Sequence, residues 1–276
     1  MNVKRFAVLL CAEDSDFVKK KYGGYSGVFV GMLGEEGEIW DFYRVIGGDF
    51  PLEDELECYD GFVVSGSCSD AHGNDIWILK LVNLLKKLDS MKKRILGICF
   101  GHQILCRALG GKTGRAVSGW DVGVRKINLS PSKQLAALKL PCSLPIYEFH
   151  RDEVWELPPQ AEVIAWSDKT KVEIFKYKDH IMGIQGHPEY TKDLFLNIVD
   201  RLLNRNIIQE FEADIGKARA EELVPDMEAW KRFCKSFLKG PLIPHHWYSD
   251  QVVLLDTEIK NKERWVLGAK LDEICI

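Results

Sequence analysis

Arg94 to Leu105 reads RILGICFGHQIL, and the fold turns on how this stretch is parsed. An apolar run from Arg94 to Ile98 stops at Cys99. From His102 to Leu109 apolar residues recur at helical spacing, and Gly110-Gly111 close the pattern. The segment is therefore a buried strand, a sharp turn on a cysteine, and a helix. Gly97-Ile98-Cys99-Phe100-Gly101 has the form G-x-C-x-G, the thiol version of the G-x-S-x-G nucleophile elbow. The strained turn crowds the backbone, which favours glycine two positions either side. Cys99 then stands at a helix N-terminus, where the positive end of the dipole favours thiolate. The Phe100 backbone N–H points to the same spot. A buried cysteine packed as a small hydrophobe is the plain alternative. The paired glycines and the strand-to-helix context weigh against it.

A thiol nucleophile needs a base, and the base needs an orienting group. Ile184 to Glu189 reads IQGHPE, after a buried strand and before a helix. His187 is placed to take the Cys99 proton, and Glu189 to hold the imidazole through its other nitrogen. H-x-E also occurs in zinc deaminases, but the P-C-x-x-C they require downstream is missing. Acyl transfer further needs donors for a developing oxyanion. Val63 to Asp70, VVSGSCSD, is a strand running into a loop of small residues. The Ser67 and Phe100 N–H groups would make the hole, with Gly66 beside them. The S-G-G-x-D-S pyrophosphate loop of ATP-using synthetases is a rival reading of this segment. Here the Asp is displaced and Ser67 replaces the second glycine.

Around these motifs the chain alternates strand and helix. Arg5 to Cys11 is a strand buried on both faces, Tyr25 to Leu33 a helix, and Ile39 to Val45 a strand. Asp75 to Leu88 is an amphipathic helix with Asn74 or Asp75 as its N-cap. That alternation predicts an α/β domain with a mostly parallel twisted sheet flanked by helices. Gly123 to Leu129, Ile146 to Phe149, Glu162 to Trp166, and Val172 to Tyr177 with Ile181 to Ile184 are short strands. The last two flank Lys178-Asp179 as a hairpin, and together these strands predict a small antiparallel edge. Helices follow at 193–204, 210–223 and 226–238. The expected organisation is a catalytic domain over residues 1–204, a helical extension over 205–240, and a tail over 241–276.

Composition narrows the class. A formal net charge of −4 on 276 residues gives no electrostatic reason to expect nucleic acid or an anionic membrane. No apolar stretch approaches the length of a membrane span. The opening MNVKRFAVLLCAED is too short in its apolar run for a secretory signal and lacks a small-x-small cleavage site. The eight cysteines show neither CxxC pairs nor zinc-ribbon spacing, as in a reducing compartment. The cytosol is the expected location, and no metal is expected.

The small-residue loop, then G-x-C-x-G-x-Q, then G-H-P-E, in that order, resembles the class I (triad-type) glutamine amidotransferase family. Gly110-Gly111 and His150-Arg151-Asp152 belong to the same pattern, which spans roughly Arg5 to Asn204. The resemblance implies a flavodoxin-like core with Cys99 as nucleophile, His187 as base and Glu189 as third member. It implies Ser67 and Phe100 as oxyanion amides, and Gly66, Gln103, His150 and Arg151 near the bound substrate. Ser67 departs from the glycine many members carry. Within the family the chain is most similar to the plant γ-glutamyl peptidases. That likeness implies a standalone cytosolic hydrolase with no cofactor. Its implied substrate is the γ-glutamyl bond of glutathione conjugates, in glucosinolate-type sulfur metabolism. A glutaminase subunit feeding ammonia to a partner synthetase, and an idle interaction module, are the competing expectations. The sequence leaves the oligomeric state open.

Overall fold

Alternation of strand and helix dominates the first half of the chain. The computed structural model describes residues 3–240. It opens with β1 (Arg5–Leu9), α1 (Asp16–Tyr22), α2 (Tyr25–Leu33) and β2 (Ile39–Tyr43). There follow β3 (Gly61–Val64), α3 (Ile76–Ser90), β4 (Arg94–Ile98) and α4 (Phe100–Ala108). The middle is rich in strands: β5 (Lys112–Arg115), β6 (Asp121–Leu129), a short α5 (Lys133–Ala137), β7 (Ser143–His150) and β8 (Asp152–Glu156). Then come β9 (Ala161–Trp166), β10 (Ile174–Tyr177) and β11 (Ile181–Ile184), before α6 (Lys192–Asn204), α7 (Glu210–Glu222) and α8 (Met227–Lys239). The expected tail over 241–276 lies outside the described residues.

One nine-stranded sheet runs in the order β2-β1-β3-β4-β11-β10-β9-β6-β7, and β5 pairs with β8 apart from it. The half from β2 to β11 is parallel throughout. Its order is the doubly wound flavodoxin-like 2-1-3-4-5, with β11 as the fifth strand. Beyond β11 every pairing of the large sheet is antiparallel. The expected mostly parallel sheet with a small antiparallel edge is therefore corrected to a mixed sheet divided evenly. The cause is the connection at Lys178-Asp179: a hairpin turn can join only antiparallel strands, and β9, β6 and β7 continue from it. Lys178 takes a left-handed conformation there, with φ 51°.

Helices cover both faces, and the central strands divide their side chains by alternation. Phe6, Val8, Leu96 and Ile98 pack with α2, α6 and α8. Ala7, Leu9 and Ile95 pack with α3 and α4 on the opposite face. In α3, Ile78, Leu81, Leu85 and Leu88 form the buried stripe, and Asp75 is the N-cap, although its side chain makes no capping bond. No helix among the described residues is long and apolar enough to cross a membrane.

Candidate active site

Three parallel strands, β3, β4 and β11, end side by side. Register aligns Val64 with Gly97 and Ile98 with Ile184. The residues that leave these strand ends, Gly66, Cys99 and Gln185 to His187, therefore meet in one place. In open α/β sheets this carboxyl edge is where ligands sit.

Cys99 occupies the turn between β4 and α4 with φ 52° and ψ −103°, a conformation that L-residues seldom adopt. Such strain persists only where the surroundings impose it. Here the flanking glycines make the turn possible. A Cβ on Gly97 would lie 2.5 Å from the Gly101 carbonyl, and one on Gly101 would lie 2.2 Å from that of Val64. The Cys99 N–H donates to the Ile184 carbonyl at 2.8 Å, tying the turn to β11.

His187 is buried, and its Nδ1 meets Glu189 Oε1 at 2.8 Å. The ring stacks on Tyr190 with centroids 4.0 Å apart and planes 7° from parallel. Its backbone N–H donates to the Tyr147 carbonyl at 2.7 Å. Burial alone would lower the imidazole pKa. The charges of Glu189 and Cys99, with hydrogen bonds to both, reverse that and raise it to about 10. A carboxylate and a sulfur thus both favour the protonated imidazole at His187. Gly66 makes room for the ring: a Cβ there would lie 2.9 Å from His187 Cε1. Ser65 fixes the same loop, accepting from the Cys11 N–H at 2.8 Å and donating to the Gly66 carbonyl at 3.1 Å.

Two cavities meet at Cys99, Ser67 and Phe149. His187, Glu189 and Gly66 line the first, and Gln103, His150 and Arg151 line the second. Every residue expected near the reaction thus borders one of them, except Phe100. The Phe100 ring is buried against Trp77 at 5.5 Å, away from the cavities. Only its backbone is placed to act: as the first residue of α4 its N–H has no intrahelical acceptor. Gln103 donates to the Asp152 carbonyl at 2.8 Å and to Gln185 Oε1 at 3.1 Å. Gln185 in turn directs its amide at Cys99 Sγ from 3.8 Å.

Gln185, Tyr190, Tyr25 and Arg201 are site residues the sequence reading did not single out. Gln185 and Tyr190 flank His187 and Glu189 in the chain, so adjacency was a usable signal. Tyr25 and Arg201 reach the cavity from α2 and α6 and have no such signal.

Two groups of metal-ligating residue types occur among the described residues: Asp70, His72 and Asp152, and the buried set Glu148, His150 and Glu173. Arg115 already pairs with Asp70 at 2.9 Å and Asp152 at 2.6 Å. Burial pushes the Glu148 and Glu173 carboxyls well above the usual range, which favours their neutral form without a cation. His150 lies beside them, with Nε2 3.3 Å from Glu148 Oε2.

The family model described as glutamine amidotransferase class-I matches residues 43–200. γ-Glutamyl peptidase 5 of Arabidopsis thaliana is 51% identical over 242 residues, covering 86% of this chain and 96% of that protein. γ-Glutamyl peptidase 3 of the same plant is 50% identical, covering 86% and 97%. Among solved structures, a glutamine amidotransferase from Thermotoga maritima superposes with a TM-score of 0.65 at 19% identity, covering 87% of this chain and 98% of that one. The last likeness speaks to fold alone.

Proposed function

The chain belongs to the class-I glutamine amidotransferase family, and from that premise we propose that it hydrolyses γ-glutamyl amide bonds through a thioester on Cys99. The observation that carries the reading is His187, held by Glu189 at 2.8 Å and lining one cavity with Cys99.

In this reading His187 accepts the Cys99 proton and keeps it, leaving a thiolate beside an imidazolium. The thiolate attacks the γ-carbonyl carbon and forms the C–S bond. The Ser67 and Phe100 N–H groups hold the tetrahedral oxyanion. His187 then gives its proton to the leaving nitrogen as the C–N bond breaks. In the γ-glutamyl thioester the sulfur no longer carries charge. The contribution of Cys99 to the raised imidazole pKa is then lost, and His187 is freed to take a proton from water. Water attacks the thioester, glutamate leaves and the thiolate returns. Gln185 stays at the sulfur throughout as a fixed donor.

The names of the Arabidopsis relatives favour a γ-glutamyl peptide as substrate, and we assign glutathione and its S-conjugates to the site. Glutamate release should be measured from glutathione, an S-conjugate of glutathione, and glutamine. Release is expected from the first two and is expected to vanish in Cys99→Ala while the protein remains folded. Release from glutamine alone would instead make the chain a glutaminase, and an active Cys99→Ala would remove the nucleophile assignment.

A further inference from the structure

The geometry points to Arg201 as the group that binds the carboxylate of the departing peptide, and so as the residue that selects γ-glutamyl peptides over amides without one. The inference rests on the peptidase reading above and gives its leaving side a chemistry.

Which side is which follows from proton transfer. The general acid must reach the leaving nitrogen within hydrogen-bond distance. His187 and Glu189 line the first cavity and are absent from the second. Gln103, His150 and Arg151 line the second and are absent from the first. A substrate bonded to Cys99 therefore extends its γ-glutamyl part into the second cavity. Its leaving group enters the first.

Helices α2 and α6 form the far wall of that first cavity. Ile198, Arg201 and Leu202 fall at i, i+3 and i+4, so α6 turns one face into it. Tyr25 and Phe29, also four apart, do the same from α2. Arg201 is thus a cation set among apolar side chains. It has no ion-pair partner among the described residues, and its Nε is buried without a hydrogen bond. The cavity's own carboxylate, Glu189, meets His187 through Oε1 at 2.8 Å, while its buried Oε2 has no hydrogen-bond partner and forms no ion pair with Arg201. A guanidinium left unmatched in partly desolvated surroundings is costly, and an anion brought to it gains correspondingly. Its planar fork matches a carboxylate with two parallel hydrogen bonds.

Tyr25 supplies a second donor. Burial raises its hydroxyl pKa, while the facing Arg201 draws it back part of the way. The hydroxyl stays protonated and lies beside the guanidinium. Cysteinyl-glycine, the leaving group of glutathione, ends in a carboxylate. Ammonia, the leaving group of glutamine, has none.

The test compares glutathione with its C-terminal amide, in which that carboxylate is masked, using the full chain and reading kcat/KM for glutamate release. Masking is expected to cost the wild type about 10- to 100-fold, the scale of a hydrogen bond to a charged group. In Arg201→Met the ratio between the two substrates is expected to fall toward one, and Arg201→Lys should keep part of it. Equal rates on the two substrates in the wild type, or a ratio that survives in Arg201→Met, would overturn the assignment. Should Arg201→Met fail to fold, the wild-type comparison and Arg201→Lys still decide. Absence of release from either substrate in the wild type is a different result: it removes the peptidase reading, and this inference with it.

Discussion

Cys99, His187 and Glu189 were legible as residues because each carries a local mark. The cysteine has glycines two positions either side, and the histidine and glutamate share one short segment after a strand. What the sequence does not carry is their electrostatic state, which depends on partners brought from elsewhere. Burial works against a charged imidazole at His187, and the Glu189 carboxylate is the strongest of the contributions that outweigh it, with Cys99 next. A pH dependence follows with a definite sign. In the proposed mechanism attack and leaving-group departure use the imidazolium, so kcat/KM should fall as pH rises through about 10, where His187 loses its proton. Glu189→Gln removes the carboxylate charge while burial remains. The alkaline limb should therefore move toward neutral pH, with lower activity at its plateau. A profile of kcat/KM on glutathione for both proteins checks this. A limb that stays in place would mean that Glu189 does not set the protonation of His187. Arg201 shows the limit of reading residues singly: in the sequence it is one polar position on an amphipathic helix, and only the cavity bordered by α6 and α2 brings it to the site.

Most elements could be read from period and punctuation, and those that could not have identifiable reasons. The buried strands β1, β3 and β4 are continuous apolar runs between turn residues, and α3 and α6 show clear 3.6-residue stripes. Helix α1 carries little periodic signal because it is short and three consecutive lysines mask its pattern. Its end signals were nonetheless present: Ser15 caps the N-terminus and Gly23 closes it with φ 74°. The extent of the antiparallel half exceeds the expected small edge because β9 and β6 pair across long sequence separations, which no local pattern encodes. At the elbow, by contrast, glycine spacing and element packing are one fact. Helix α4 approaches β4 closely because Gly97 has no Cβ, and β3 closely because Gly101 has none. Gly101→Ala would press a methyl group to 2.2 Å from the Val64 carbonyl, an atom fixed in the sheet. The expected loss is about 1–3 kcal/mol of stability, the usual range for overpacking. Glutamate release should fall as well, because α4 carries the Phe100 N–H. Chemical denaturation with a parallel assay reads both, and a variant of unchanged stability would show that α4 can move away without cost.

At the scale of the whole molecule, the question is whether residues 1–204 form a unit to which the last helices are merely added. The packing argues that α7 and α8 are part of the fold. Gly123 in β6, with φ 126°, and Gly216 in α7 bring strand and helix into close approach, where a Cβ on Gly216 would meet the Val122 side chain at 2.5 Å. Trp230, Phe233, Phe237 and Leu238 of α8 are buried in the same core cluster as Phe6 and Leu96 of the central strands. The Trp230 indole N–H donates to the Pro145 carbonyl at 2.8 Å, and Arg94 of β4 donates to the Phe237 carbonyl. Lys239 pairs with Glu38 at 2.7 Å and lies over the Phe6 and Trp40 rings. Burying a large apolar side chain is worth about 1.5–3 kcal/mol. Four from α8 therefore rival the whole net stability of a typical domain, about 5–15 kcal/mol. A chain ending at Asn204 is accordingly expected to lose cooperative unfolding in urea, where the full chain shows a single transition. Circular dichroism followed across the titration reads the difference. A truncated chain with the full chain's midpoint would make residues 1–204 autonomous. The expected result follows from the sheet itself: without α8, Phe6 and Leu96 would lose part of their cover, and β4, which ends at Cys99, would be packed on that face by α2 and α6 alone.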